Sequence, residues 1–72
     1  MQKLFNNIRY YRKLRGFSQD ELARKVGYSN RSAIARIENG EIDLPYSKIL
    51  TFAQVLNVAP WQLIETKGST KD

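Results

Sequence analysis

Apolar residues recur along this chain at intervals of three and four, the period of helices that bury one face. Between Gln2 and Arg15 the stripe consists of Leu4, Ile8, Tyr11 and Leu14 or Arg15, and Gly16 closes the segment where a left-handed cap costs little. Phe17 then turns inward. A second run places Leu22, Ala23 and Val26 on one face, with Asp20, Arg24 and Lys25 elsewhere. Its start carries a capping box, in which Ser18 accepts from the amide three residues on and Glu21 reaches back. Gly27 ends it. The polar Ser29-Asn30 pair offers two N-caps for a third run that buries Ala33, Ile34 and Ile37 and stops at Gly40.

Two further helices follow. Pro45 suits the first position of the fourth, because its missing amide donor would be unpaired there, and Ile49, Phe52, Ala53 and Leu56 form the buried stripe. Asn57 fits a left-handed C-cap, and Val58 packs after it. Pro60 opens a short fifth helix with Trp61, Leu63 and Ile64 on its apolar side. The pattern predicts an all-α, five-helix bundle over residues 1–66. Residues 67–72, Lys-Gly-Ser-Thr-Lys-Asp, have no apolar content and are expected to form a flexible tail or the start of a linker. The second and third runs form a helix-turn-helix, and Ala23 with Gly27 keeps its corner small enough for close approach.

Composition narrows the functional classes. A 72-residue chain forms one domain, too small for a large enclosed pocket. With no cysteine and no histidine, it lacks thiol nucleophiles, disulfides and the usual nitrogen and sulfur metal ligands. The acids are scattered over separate helices, so neither a nucleophile-base pair nor a cofactor site is expected, and the chain does not read as an enzyme. No apolar run approaches the roughly 20 residues of a membrane helix, and no signal-peptide core opens the chain. A soluble, cytoplasmic protein without a membrane partner is expected.

The net charge of +5 is unevenly placed. Residues 1–36 carry nine Lys or Arg against Asp20 and Glu21, giving +7, whereas residues 37–72 carry three bases against five acids, giving −2. The basic half contains the helix-turn-helix. Such a field suits a polyanion, since each cation set on a phosphate releases a counterion.

Arg12 with Leu14, Gly16-Phe17-Ser18-Gln19, Glu21-Leu22-Ala23, Gly27, Ile34, Arg36-Ile37-Glu38-Asn39-Gly40, and Phe52-Ala53 through Leu56-Asn57-Val58 together resemble the lambda-repressor and Cro-like (XRE-type) helix-turn-helix domains of bacterial and phage repressors. The resemblance runs from Ile8 to Ile64. It implies a recognition helix, about residues 30–39, in the major groove of double-stranded DNA, with the preceding helix crossing the backbone. It further implies phosphate contacts from Gln19 and Asn39; Asn39 also reads as a helix C-cap. Ser18 and the free amides of the helix start belong to the same phosphate site.

The base-reading residues lie on the outward face near the start of the recognition helix. Counting from a buried Ile34 gives Arg31, Ser32 and Ala33 as exposed or edge positions and Arg36 as the next outward residue, with Asn30 as N-cap or adenine reader. Arg31 and Arg36 can present a fork to guanine, or hold phosphate and confer affinity alone. The turn is one residue longer than the commonest form of the family, which shifts the reading positions from Asn30 to Ser32 by about 100° for each residue of uncertainty. After the recognition helix stands the acidic Glu41-Ile42-Asp43, so amides near Tyr46 and Ser47, helped by Lys48, are the expected phosphate grip.

The resemblance also pairs Arg12 with Glu38 in a partly buried ion pair. Trp61 admits core packing, a DNA contact or, with Pro60 and Gln62, a dimer contact. The sequence therefore predicts a DNA-binding transcriptional regulator, a repressor acting as a homodimer on a near-palindromic operator. An alternative is a protein-interaction module of the same fold, such as an antitoxin or a regulator-binding domain.

Overall fold

Five helices make up the computed structural model, which describes residues 2–64: α1 (Gln2–Leu14), α2 (Gln19–Val26), α3 (Arg31–Glu38), α4 (Tyr46–Leu56) and α5 (Pro60–Ile64). The expected tail at 67–72, and residues 65–66 of the expected domain, lie outside the described residues.

Local chemistry sets the ends of the two central helices. Ser18 Oγ accepts from the Glu21 amide at 3.0 Å while the Ser18 amide donates to Glu21 Oε1 at 2.8 Å, so two donors that α2 could not satisfy itself are paired. Gly27 ends α2 at φ 96°, a conformation that strains any residue with a Cβ. The Tyr28 amide then donates back to the Ala23 carbonyl at 2.8 Å. Of the two possible N-caps for α3, Asn30 is the one used: its Oδ1 accepts from the Ser32 amide at 2.9 Å. The longer turn is thus absorbed before Arg31, and the register of α3 is fixed by that cap.

Side chains from all five helices meet in one core, with Leu44 added from the α3–α4 loop. Ile8, Leu22, Ile34, Ile37, Phe52, Leu56 and Leu63 are fully enclosed at its centre. Ala23 is fully buried, and α2 packs on both α3 and α4. In turn, α1 lies against α3, α4 and α5.

Four sequence expectations are corrected. On α1, Leu4, Phe5, Ile8 and Arg12 form the inward stripe, whereas Leu14 is 56% exposed and Tyr11 is half-buried. At 100° per residue, the stripe set by Leu4 and Ile8 turns past Leu14 and brings Arg12 under it. Pro45 is the N-cap of α4, with extended backbone at φ −67° and ψ 158°, and Tyr46 takes the first helical position. Proline's φ suits both places, so only ψ distinguishes them. Ala33 is half-buried, outside the fully enclosed core. On α5 only Leu63 is buried; Ile64 is exposed and Trp61 is 62% exposed, which removes the core-packing role for the indole. A helix of five residues buries one side in little more than a single turn, and Leu63 occupies that side. Asn57 does adopt the left-handed cap, at φ 60°.

Candidate nucleic-acid interface

The α3 helix buries Ile34 and Ile37 completely. Counted at 100° per residue from those positions, Ser32, Arg36 and Asn39 fall on the opposite side at spacings of four and three, and all three are exposed. Arg31 adds an exposed guanidinium at the first turn, and the half-buried Ala33 and Ala35 flank the stripe. Ala35 escapes the sequence reading, which stops counting outward positions at Ala33 and resumes at Arg36. Asn30 spends its Oδ1 on the Ser32 amide, the oxygen that a bidentate contact to adenine would need.

The end of α3 is built as a Schellman turn. The Gly40 amide donates to Ile37 O at 3.0 Å and the Glu41 amide to Arg36 O at 2.9 Å, with Gly40 at φ 79°. Glu41 is thereby held beside Arg36, and its Oε1 lies 3.7 Å from Arg36 Nε. Asn39 serves as the C-cap, its amide bonded to Ala35 O at 3.0 Å.

Behind this face sits a buried charge cluster centred on Glu38. Arg12 Nε donates to Glu38 Oε2 at 2.6 Å and Arg12 Nη2 to Oε1 at 3.2 Å, while Arg12 Nη1 donates to the Phe17 carbonyl at 3.0 Å. Gln19 Nε2 donates to Glu38 Oε1 at 3.1 Å. A carboxylate only accepts, so this contact turns the amide nitrogen of Gln19 inward and leaves its carbonyl and second amide hydrogen for other partners.

Arg9, to which the sequence assigns no role, approaches the same carboxylate at 3.6 Å through Nε and donates to the Glu38 carbonyl at 3.4 Å. It stands one turn before Arg12, the only signal that would have pointed to it. Two arginines facing one carboxylate leave the cluster with a surplus positive charge at the edge of the helix-turn-helix.

The residues at the α4 start divide. Tyr46 and Ser47 are exposed and no side chain caps the helix, so the first amides of α4 are open to an anion. Lys48 points back into the fold: its Nζ donates to the Val26 carbonyl at 2.8 Å and lies 4.5 Å from the Tyr28 ring centroid. It thereby satisfies a carbonyl at the end of α2 and braces α4 against the turn. Burial raises the Tyr28 phenol above its ordinary value. Ser18 Oγ, occupied as an acceptor by the capping box, retains its hydroxyl proton for a phosphate.

Arg15, also without an assigned role from sequence, donates to Leu56 O at 2.7 Å and Asn57 O at 3.3 Å and so closes the end of α4. On α5, Gln62 Oε1 accepts from the Ala59 amide at 2.8 Å, Pro60 is half-buried, and Trp61 projects its indole into solvent. No helix among the described residues is long and apolar enough to cross a membrane.

A sequence model described as helix-turn-helix matches residues 8–60. Among solved structures, a hypothetical transcription factor, NHTF, from Neisseria superposes with a TM-score of 0.84 at 30% identity, covering 96% of this chain and 79% of that one. The restriction-modification controller protein C.AhdI from Aeromonas hydrophila gives 0.77 at 31% identity, covering 85% and 91%. SinR, a master regulator for biofilm formation solved in complex with DNA, gives 0.76 at 30% identity, covering 86% and 98%. No curated protein matches the sequence.

Proposed function

The chain belongs to the helix-turn-helix family of DNA-binding transcription regulators, and from that premise we propose that it is a repressor that reads a near-palindromic operator as a homodimer, with α3 in the major groove. The observation that carries this reading is the exposed stripe of Ser32, Arg36 and Asn39, opposite the buried Ile34 and Ile37, with the exposed Arg31 beside it at the first turn. Arg31 and Arg36 are the candidates for guanine, Ser32 for several bases, and Ala33 for a thymine methyl.

Phosphates flanking the groove would be held by Ser18 and Gln19 at the start of α2, by Asn39, and by the open amides at Tyr46 and Ser47. Lys48, being committed to Val26 O, would contribute by holding the α2–α3 turn in place. The exposed Trp61, with Pro60 and Gln62, supplies the dimer contact, and the two half-sites then lie about one helical turn apart.

Selection from a random duplex pool, followed by binding measurements over a salt series, tests the proposal. An enriched two-fold sequence bound far more tightly than scrambled duplex is the expected result. Absence of enrichment, with no steep salt dependence, would refute it.

A second reading is favoured by the same exposed Trp61 and Ile64. One similar structure, covering 96% of this chain, is a complex of SinR with SinI, and α5 here offers an apolar surface on which a protein partner could act on the regulator. Co-purification of a stoichiometric partner that is lost on Trp61→Ser would support it.

A further inference from the structure

The acidic residues after the recognition helix oppose the negative DNA backbone, and one of them occupies a defined place. The Schellman turn bonds the Glu41 amide to the carbonyl of Arg36 itself, at 2.9 Å, and the left-handed Gly40 fixes the direction of the chain between them. Glu41 Oε1 then reaches the Nε edge of the Arg36 guanidinium at 3.7 Å.

Stability does not account for this pair. Its side chains are 62% and 55% exposed, and ion pairs so open to water contribute little to folding. Its other consequence is geometric. A carboxylate facing the Nε side biases the guanidinium modestly toward the rotamers that keep it there, and its two terminal nitrogens remain to form a fork. Arg36 lies at the centre of the outward stripe, between Ser32 and Asn39. A guanidinium that swings freely there has phosphates on both sides of the groove as alternatives to a base edge.

We infer that Glu41 is a specificity-determining residue: it positions Arg36 as a guanine reader and makes the neighbouring phosphates a poorer alternative, lowering affinity for DNA in general to sharpen discrimination at one base pair. The inference rests on the major-groove reading proposed above. Glu41 acts through Arg36, so it is a positioning residue with no base of its own.

The charge and the positioning have separable signatures. Removing a negative charge near the backbone strengthens binding to any duplex, because each repelled phosphate is then held more closely. Loss of positioning weakens discrimination only at the base pair that Arg36 reads. Glu41→Gln keeps the length of the side chain and leaves the backbone turn intact, and it removes the charge that faces the guanidinium.

The experiment uses the whole chain, a duplex selected by the wild type, the same duplex with the Arg36-dependent guanine replaced, and a scrambled duplex. That guanine is the position at which Arg36→Ala loses preference. Fluorescence anisotropy is measured for the wild type, Glu41→Gln, Arg36→Ala and the double variant. Glu41→Gln should tighten the scrambled duplex by about threefold and reduce discrimination at the Arg36 position by at least about threefold. The double variant should discriminate no less than Arg36→Ala alone.

Equal shifts on all three duplexes would overturn the positioning role and leave a plain charge effect. A loss of discrimination that persists in the Arg36→Ala background would also overturn it, since Glu41 would then be reading a base directly. If Arg36→Ala changes all duplexes alike, Arg36 is a phosphate ligand and the inference fails while DNA reading by α3 stands. If the wild type enriches no sequence, the DNA-reading proposal itself fails and takes the inference with it.

Discussion

The Arg12 guanidinium grips the Glu38 carboxylate through two nitrogens, at 2.6 and 3.2 Å, and ties α1 to the last turn of α3. Glu38 is almost completely enclosed, with 1% of its side chain exposed, yet both its oxygens are occupied, one of them also by Gln19.

Removal of one partner strands a charge. Arg12→Ala is expected to destabilise the fold by about 3–5 kcal/mol, whereas Arg12→Met combined with Glu38→Leu should recover much of that loss, since well-packed apolar residues replace such pairs at little cost. Urea titrations of the two variants check this. A melting temperature of Arg12→Ala equal to wild type, accompanied by loss of DNA binding, would make Arg12 a direct DNA ligand.

The caps are separable from the contacts. Ser18→Ala removes the acceptor for the Glu21 amide and should cost about 1 kcal/mol of stability. If Ser18 also donates its hydroxyl to phosphate, DNA affinity falls further than the unfolded fraction explains, and it does so on specific and scrambled duplexes alike. Paired denaturation and binding curves on one preparation distinguish the two effects.

The α2 boundaries and the end of α3 were legible because their signals are local, whereas the start of α3 was narrowed only to Ser29 or Asn30. Ser18 and Glu21 stand three residues apart, and Gly27 and Asn30 act on amides within a few positions. The inward stripe of α1 was less so. Leu4, Phe5, Ile8, Tyr11 and Leu14 admit several helical phases, and the buried Arg12 lies on the true one because of a glutamate 26 residues away. The bond from Gln19 to Glu38 and the brace from Lys48 to Val26 are tertiary in the same way, and no periodicity reveals them.

Ala23 has no exposed surface. Ala23→Leu adds three carbons to a filled space and should cost about 1–3 kcal/mol, with α2 and α3 forced apart. The angle between these helices sets the α3 stripe against the phosphate site proposed at the start of α2, so binding of any duplex should weaken beyond the stability loss. Wild-type stability with wild-type binding would mean that the corner tolerates the larger side chain.

Lys48 should behave as a brace. Lys48→Met preserves most of the stem but abandons the Val26 carbonyl and the Tyr28 ring, so thermal stability should fall by about 1 kcal/mol or more. The number of counterions released on DNA binding, read from the salt slope, should remain unchanged. A slope reduced by about one unit would instead make Lys48 a phosphate ligand.

Trp61 provides the sharpest distinction between fold and assembly. Its indole is 62% exposed and Leu63 alone fills the buried side of α5, so Trp61→Ser should change the stability of the monomer by less than about 0.5 kcal/mol. An exposed indole is nevertheless a strong candidate for the centre of an interface, where aromatic residues contribute most. If the proposed dimer forms through this surface, the variant should therefore sediment as a monomer at concentrations where the wild type sediments as a dimer. It should also bind an isolated half-site like wild type while losing the advantage conferred by two half-sites. Equal sedimentation and equal two-site affinity would remove Trp61 from the dimer contact. A large drop in stability at concentrations where the protein is monomeric would return it to the core.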